Sequence, residues 1–332
     1  MQKSAIRALI TGVTGQDGSY LAELLLSKGY EVHGVLRPQS QENLDAKPGH
    51  LKKILARLHL HFADLGDAAT LYSICRDCAP QEIYHLGGPT RVDSNLSGSA
   101  VIFQTVFGST KALLEAVADR PDVRFFLAGT SEMFGSPTSS PQSEKSVRNP
   151  RSLYGFAKLA AADLVCRRRD QFGAIASTGI LYNHESPRRE PFFLSRKVTR
   201  GLVRVSLGLQ RDISLGNLES RRDWGYAPDY MDAVWRIVSS DKPGDYVIAT
   251  GKTHSVRDLV TIVCETLKID LDRSVVQDSR FFRATETVTL CGDSAKLAAA
   301  VGWTSSKAFA SMIREMTLHD LQMETEHAAA GG

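Results

Sequence analysis

A short apolar run, Ala5–Thr11, leads directly into Gly12-Val-Thr-Gly15-Gln-Asp-Gly18. Helical apolar spacing follows at Tyr20, Leu21, Leu24 and Leu25, closed by Gly29. A strand that turns into a helix through three glycines leaves the N–H groups of the helix's first turn, and the positive end of its dipole, facing whatever lies above the strand. Such a junction suits a diphosphate. Gly12, Val13, Thr14, Gly15, Gln16 and Asp17 are its expected lining. The Gly-Lys-Ser/Thr ending of the alternative triphosphate loop does not occur here.

The rhythm continues for half the chain. Glu31–Leu36, Leu58–Ala63, Glu82–Leu86, Val123–Gly129 and Ala174–Leu181 read as further strands, and Ala100–Ala118 and Tyr154–Phe172 as helices among them. Strands alternating with crossover helices predict a Rossmann-like, doubly wound parallel sheet of the α/β class. After Tyr182, Pro187, Pro191, Pro228 and Pro243 break the pattern into short strands (Ile213–Leu215, Tyr246–Ala249) and helices (Phe193–Val205, Val256–Leu267, Ser306–Leu318). The 332 residues therefore divide into a dinucleotide-binding domain over 1–182, able to take back later segments, and a smaller mixed α/β domain over 183–326. The Ala/Gly-rich tail 327–332 is expected to fray.

Charge narrows the partners. Forty Lys+Arg against 37 Asp+Glu give a net +3, too little for general attraction to nucleic acid or membrane. Residues 185–225 hold nine Lys/Arg and five acids, an excess of +4, so the rest of the chain carries 3 − 4 = −1. That excess fits a small phosphorylated ligand or a solvated face. Base-stacking aromatics are too sparse for a nucleic-acid strand. Cys75 and Cys78 share the helical spacing of Leu71 and Ile74, so a buried helix face is expected there, with no metal set. No run approaches the ~20 apolar residues of a membrane span. The opening MQKSAIRALITG is unlike a secretory signal, and a cytoplasmic protein is expected.

The second strand ends Val35-Leu36-Arg37 with no acid before Glu42. An acid there would bond the ribose hydroxyls of NAD, whereas an arginine pairs with a 2′-phosphate, so Arg37 predicts NADP. Asp64-Leu65 after the third strand and Leu86-Gly87-Gly88 after the fourth are placed for adenine and ribose. The fifth strand ends in Thr130-Ser131-Glu132, and 24 residues past Thr130 stand Tyr154 and Lys158, one helical turn apart. A lysine ammonium beside a phenol favours the phenolate. Tyr154 is thus the expected base for a substrate hydroxyl, with Thr130 holding the same oxygen. Glu132 adds a second base, which plain alcohol oxidation or 4-epimerisation does not need but proton abstraction beside a new ketone does.

The glycine spacing resembles the short-chain dehydrogenase superfamily, and residues 5–317 resemble the GDP-mannose 4,6-dehydratases. The resemblance rests on ALITGVTGQDGSYLAE (8–23), GYEVHG (29–34), TSEMFG (130–135), YGFAK (154–158), GILYNHESPRR (179–189), SRKVTR (195–200), RRDWGYAPDY (221–230), YVIATG (246–251) and FRATE (282–286). It implies Thr130, Glu132 and Tyr154 as catalytic, with Lys158 touching both Tyr154 and the nicotinamide ribose. NADP would lie against Gly12–Asp17, Arg37, Asp64, Leu65, Leu86, Gly87, Gly88, Thr90, His184 and Arg189. Ser131, Asn183, Lys197, Arg222, Arg283 and Glu286 would contact a GDP-sugar in a homo-oligomer, dimer or tetramer. The implied reaction oxidises sugar carbon 4, eliminates water across carbons 5 and 6 and returns hydride to carbon 6.

Three departures stand out against the family. Gly88-Pro89-Thr90 replaces Ala-Gln-Ser, Val101 replaces a tyrosine, and Glu190–Leu194 replaces Gly-x-x-Phe-Val. They keep open a dehydratase, reductase or epimerase acting on another GDP-sugar, such as a GDP-heptose. A non-catalytic NADP-binding regulator on this fold would be expected to lose Tyr154 or Lys158. His184 can also be read as a satisfied core histidine, and Arg222 with Asp223 as a surface pair.

Overall fold

The computed structural model describes residues 5–41, 49–89, 99–281 and 289–330. Thr90, Arg283 and Glu286 lie outside the described residues. The strands are β1 (Arg7–Thr11), β2 (Glu31–Leu36), β3 (His59–Phe62), β4 (Glu82–His85), β5 (Arg124–Ala128), β6 (Ala176–Leu181), β7 (Asn183–Glu185), β8 (Ile213–Leu215), β9 (Arg221–Tyr226), β10 (Asp245–Ile248), β11 (Thr253–Ser255) and β12 (Val275–Gln277). Seven form one parallel sheet in the order β3–β2–β1–β4–β5–β6–β10. The winding reverses between β1 and β4, which opens the crevice where such sheets bind ligands.

Strand alternation builds two cores at once. Ala8, Ile10 and Phe126 pack on one face with helices Gln16–Ser27 and Ala227–Ser239. Leu9, Phe125 and Leu127 pack on the other with helices Ala68–Cys78, Ser109–Ala116 and Leu153–Phe172. A third core joins helices Leu194–Ser206, Val256–Leu267 and Phe309–Ala330 around β8. The second half does return segments: β10 pairs with β6, and helix Ala227–Ser239 covers the sheet. Cys75 and Cys78 are free and buried beside Leu71 and Ile74, and burial pushes their thiols up to about 12 and about 11. Among the described residues, no helix is long and apolar enough to cross a membrane.

Two expectations are corrected. The helix expected over Ala100–Ala118 is broken by a π-helical turn, Gln104–Gly108. The last helix runs to Ala330, so 327–330 are helical rather than frayed. Long-range ion pairs brace that helix: Asp320 takes Arg196 at 2.5 Å, and Glu324 takes Arg200 at 2.5 Å and Arg204 at 2.7 Å. Ala328 and Ala329 extend it because alanine has the highest helix propensity. The same pairs reinterpret the basic segment. Three of its arginines neutralise acids more than a hundred residues away, and Arg188 neutralises Glu23 at 2.7 Å.

Candidate active site

Steric necessity explains two of the loop glycines. Gly12 has φ +71°, and a Cβ there would stand 2.8 Å from the Cα of Gly87. A Cβ on Gly18 would stand 2.3 Å from the Gly12 carbonyl oxygen. Gly12 thereby admits the loop after β4, and Gly18 lets the helix close onto the turn. Gly15 begins the helix with no side-chain cap, leaving the first-turn N–H groups for an anion. These residues fit a dinucleotide diphosphate.

The loop is tied to the second lobe through His184. Its Nδ1 lies 2.7 Å from the Tyr182 carbonyl oxygen and its Nε2 2.9 Å from both Asp17 carboxylate oxygens. A carbonyl only accepts, so Nδ1 donates; with an ionised Asp17, Nε2 donates too and the ring is an imidazolium. Burial opposes both charges, but the pair overrides it: Asp17 falls to about 2 and His184 rises above its usual value. His184 is therefore a buried, satisfied histidine that also abuts the glycine loop. Gln16 Nε2 donates to the His184 carbonyl at 3.1 Å and Ser186 Oγ donates to Gln16 Oε1 at 2.7 Å, which completes the suture.

The pair should leave a signature in stability. Asp17, lowered from 3.8 to about 2, stabilises the fold above pH 3.8 and loses that effect as pH falls toward 2. His184, raised from 6.5, stabilises below pH 6.5 and loses its effect as pH climbs past its folded value. The melting-temperature gap between wild type and Asp17→Asn should be widest between about pH 4 and 6.5 and narrow on both sides. A gap that is constant with pH would refute the ion pair.

At the end of β5, Thr130 caps the single 3-10 turn Ser131–Phe134, its hydroxyl accepting the Glu132 N–H at 3.3 Å. Ser131 is buried and Glu132 is exposed. Helix Leu153–Phe172 starts beside this turn and carries Tyr154 and Lys158. Lys158 Nζ donates to the Ala128 carbonyl at 2.6 Å, and a Cβ on Gly88 would lie 3.8 Å from that nitrogen. The loop after β4 and the lysine thus share one crevice. Burial lowers Lys158 to about 8, with Asp17 opposing.

The phenol differs from expectation. Tyr154 is pushed up by burial, then by the Glu132 and Asp17 charges, with only Arg189 opposing. Lys158 Nζ lies 5.7 Å from the ring centroid and is engaged with Ala128, so burial and the neighbouring carboxylates favour the protonated phenol.

Sequence reasoning missed a buried chain under the crevice. Ser109 Oγ donates to the Thr105 carbonyl at 2.5 Å, so it accepts from His85 Nε2 at 2.8 Å. His85 Nδ1 then accepts from Thr11 Oγ1 at 2.7 Å, and Thr11 accepts the Gly87 N–H at 3.0 Å. Burial, then Lys158, lowers His85 to about 3, which keeps it neutral and fixes Gly87. The signal was available: Thr11 and His85 both end strands at the crevice.

The remaining candidates separate. Arg37 is exposed just after β2. Asp64 Oδ1 accepts the Gly66 N–H at 2.8 Å, Leu65 approaches Gly87, and Leu86 joins β4 to that glycine. Arg189 Nε lies 3.3 Å from Glu185, and its guanidinium 3.5 Å from the Phe193 ring. Asn183 is exposed on β7. Lys197 donates to the Ser214 carbonyl at 2.8 Å in a basic groove of about 380 Å³, further lined by Arg196, Arg200 and Arg204. Arg222 and Asp223 are no surface pair: Asp223 is 1% exposed and accepts the N–H groups of Thr250, Gly251 and Gly292.

A doubly wound sheet with a glycine-loop crevice, a Tyr-x-x-x-Lys helix and a strand-end hydroxyl defines a short-chain dehydrogenase/reductase fold. RMD from Pseudomonas aeruginosa complexed with NADPH shares it, with a TM-score of 0.81 at 22% identity over 96% of this chain and 100% of that one. So does dTDP-glucose 4,6-dehydratase from Bacillus anthracis in complex with NAD, at 0.82 and 18% over 97% and 98%. Within that class the chain belongs to the GDP-mannose 4,6 dehydratase family, whose profile matches residues 9–316. It is 40% identical to GDP-mannose 4,6 dehydratase of Homo sapiens over 95% of this chain and 91% of that one. Identity to the Vibrio cholerae GDP-mannose 4,6-dehydratase is 38% over 97% and 95%.

Proposed function

We propose that the protein is a cytoplasmic, NADP-dependent dehydratase that converts GDP-mannose to GDP-4-keto-6-deoxymannose. The observation that carries this reading is Glu132 standing beside Tyr154 and Lys158 at one strand end, a second base next to a redox pair. Family membership at about 40% identity over nearly the whole chain supports the same reaction. Tyr154 takes the carbon 4 hydroxyl proton while Thr130 holds that oxygen and Lys158 adds positive charge. Bound NADP supplies the hydride acceptor for carbon 4, the donor for carbon 6, and a cationic ring that draws the phenol's pKa down. Glu132 removes the carbon 5 proton, acidified by the adjacent ketone, as the carbon 6 hydroxyl leaves as water.

Lys197, Arg222, Asn183 and Ser131, with Arg283 and Glu286, are the proposed GDP-sugar contacts. The domain division follows: 1–182 with the returned β10 and helix Ala227–Ser239 for NADP, the rest for the nucleotide sugar. Exposed Val101, Phe103 and Phe156, with the Phe103 ring 4.9 Å from Phe107 and 6.4 Å from Phe156, support a homo-oligomer closed over this apolar patch. Light scattering should give a multiple of 36.3 kDa.

Arg37 at the end of β2 supports NADP over NAD. Arg37→Ala should weaken NADP by tenfold or more, on the order of one lost charge-assisted contact, while leaving NAD nearly unchanged. Equal weakening of both cofactors in titrations would remove this role. The reaction itself is tested by incubating the protein with GDP-, dTDP- and UDP-sugars and following loss of one water by mass spectrometry. GDP-mannose should lose water; elimination only from a different sugar, or from none, would overturn the proposal.

A further inference from the structure

Ser152 stands between the two proposed bases, two residues before Tyr154. Its Oγ accepts the Gly155 N–H at 3.0 Å as the N-cap of helix Leu153–Phe172, and it donates to Glu132 Oε2 at 2.7 Å. A hydroxyl has one hydrogen. With the cap occupying a lone pair on one side, that hydrogen is committed to the Glu132 carboxylate. Among the described residues, no other side chain or N–H bonds the Glu132 carboxylate. The backbones interlock as well: a Cβ on Gly155 would lie 2.9 Å from the Glu132 carbonyl oxygen. The carboxylate thus rests at the N-terminus of a twenty-residue helix.

We infer that Ser152 is a positioning residue for the elimination step, holding Glu132 by Oε2 so that Oε1 faces the sugar's carbon 5 proton. The inference rests on the proposed role of Glu132 and extends it. Ser152 further couples the two bases mechanically, since the atom that holds Glu132 also caps the helix that presents Tyr154.

Ser152→Ala should slow water elimination about tenfold and leave the KM for GDP-mannose within about twofold. Ser152→Thr keeps both the cap and the hydroxyl and should restore the rate. Ser152→Asp keeps the cap but has no hydrogen to give, so it should fold like wild type and still eliminate water slowly, which serves if the alanine variant folds poorly. A wild-type rate in Ser152→Ala or Ser152→Asp, or failure of threonine to rescue, would overturn the inference. If Glu132→Gln eliminates water normally, the role of Glu132 itself fails; if it does not and Ser152→Ala is normal, only the role of Ser152 fails.

Discussion

Glu132→Gln is expected to bind GDP-mannose and NADP⁺ much as the wild type does, yet to lose water elimination by a factor of roughly 10² or more. Glutamine keeps the size of the side chain and an oxygen that accepts from Ser152, now 2.7 Å from Glu132 Oε2, but cannot take a proton. In the proposed mechanism, oxidation at carbon 4 uses Tyr154, Thr130 and Lys158, all of which remain. The defect should therefore be selective: substrate is oxidised, while the carbon 5 proton no longer exchanges with deuterated solvent. The substitution also removes a negative charge that raises the Tyr154 phenol, so the first step should not slow. A variant forming 4-keto-6-deoxy product at near wild-type rate would sink the two-base mechanism. One that neither oxidises nor eliminates would mean that the turn Ser131–Phe134 had collapsed.

Local periodicity made the sheet legible. Most strands from β1 to β6 are short, largely apolar runs, β3 with its two histidines being the exception, and the parallel order follows from the crossover helices between them. The candidate site was legible for a related reason: Thr130, Glu132, Tyr154 and Lys158 sit near strand and helix ends, and chain position alone sends those ends to the crevice. What resisted reading was anything that depends on distant partners. Arg196, Arg200 and Arg204 look like an anion site in a local window, but Asp320 and Glu324 answer them from the last helix. Asp223 looks like half of a surface pair, yet it is a buried hub for the loops at 250–251 and 292. The Tyr154 phenol failed in the same way, because its pKa is set by burial and by Glu132 and Asp17, not by its sequence neighbour Lys158.

The glycine loop offers the other large effect, and it divides between two positions three residues apart in sequence. An added Cβ at Gly18 would lie 2.3 Å from the Gly12 carbonyl oxygen, 2.7 Å from the Val13 Cα and 2.9 Å from the Gly12 carbonyl carbon. All three are backbone atoms that cannot rotate away, so the main chain must move in a fully packed region. Gly18→Ala should cost about 1–3 kcal/mol or more of stability and lower the melting temperature by several degrees. At Gly15, φ −72° and ψ 173° suit any residue, and the added Cβ meets only the Gly12 carbonyl oxygen, at 3.3 Å. Gly15→Ala should therefore leave the melting temperature of the protein alone within about a degree, because nothing in the fold has to shift. Its methyl group would instead stand on the exposed side of the helix start, where the diphosphate must approach the first-turn N–H groups. The NADP dissociation constant should rise tenfold or more, about 1.4 kcal/mol. Calorimetry of both variants, with and without NADP, separates the roles: Gly18 acts on the fold and Gly15 on the ligand. Equal melting temperatures for the two variants would remove the steric role of Gly18, and unchanged NADP affinity in Gly15→Ala would show that the diphosphate lies elsewhere.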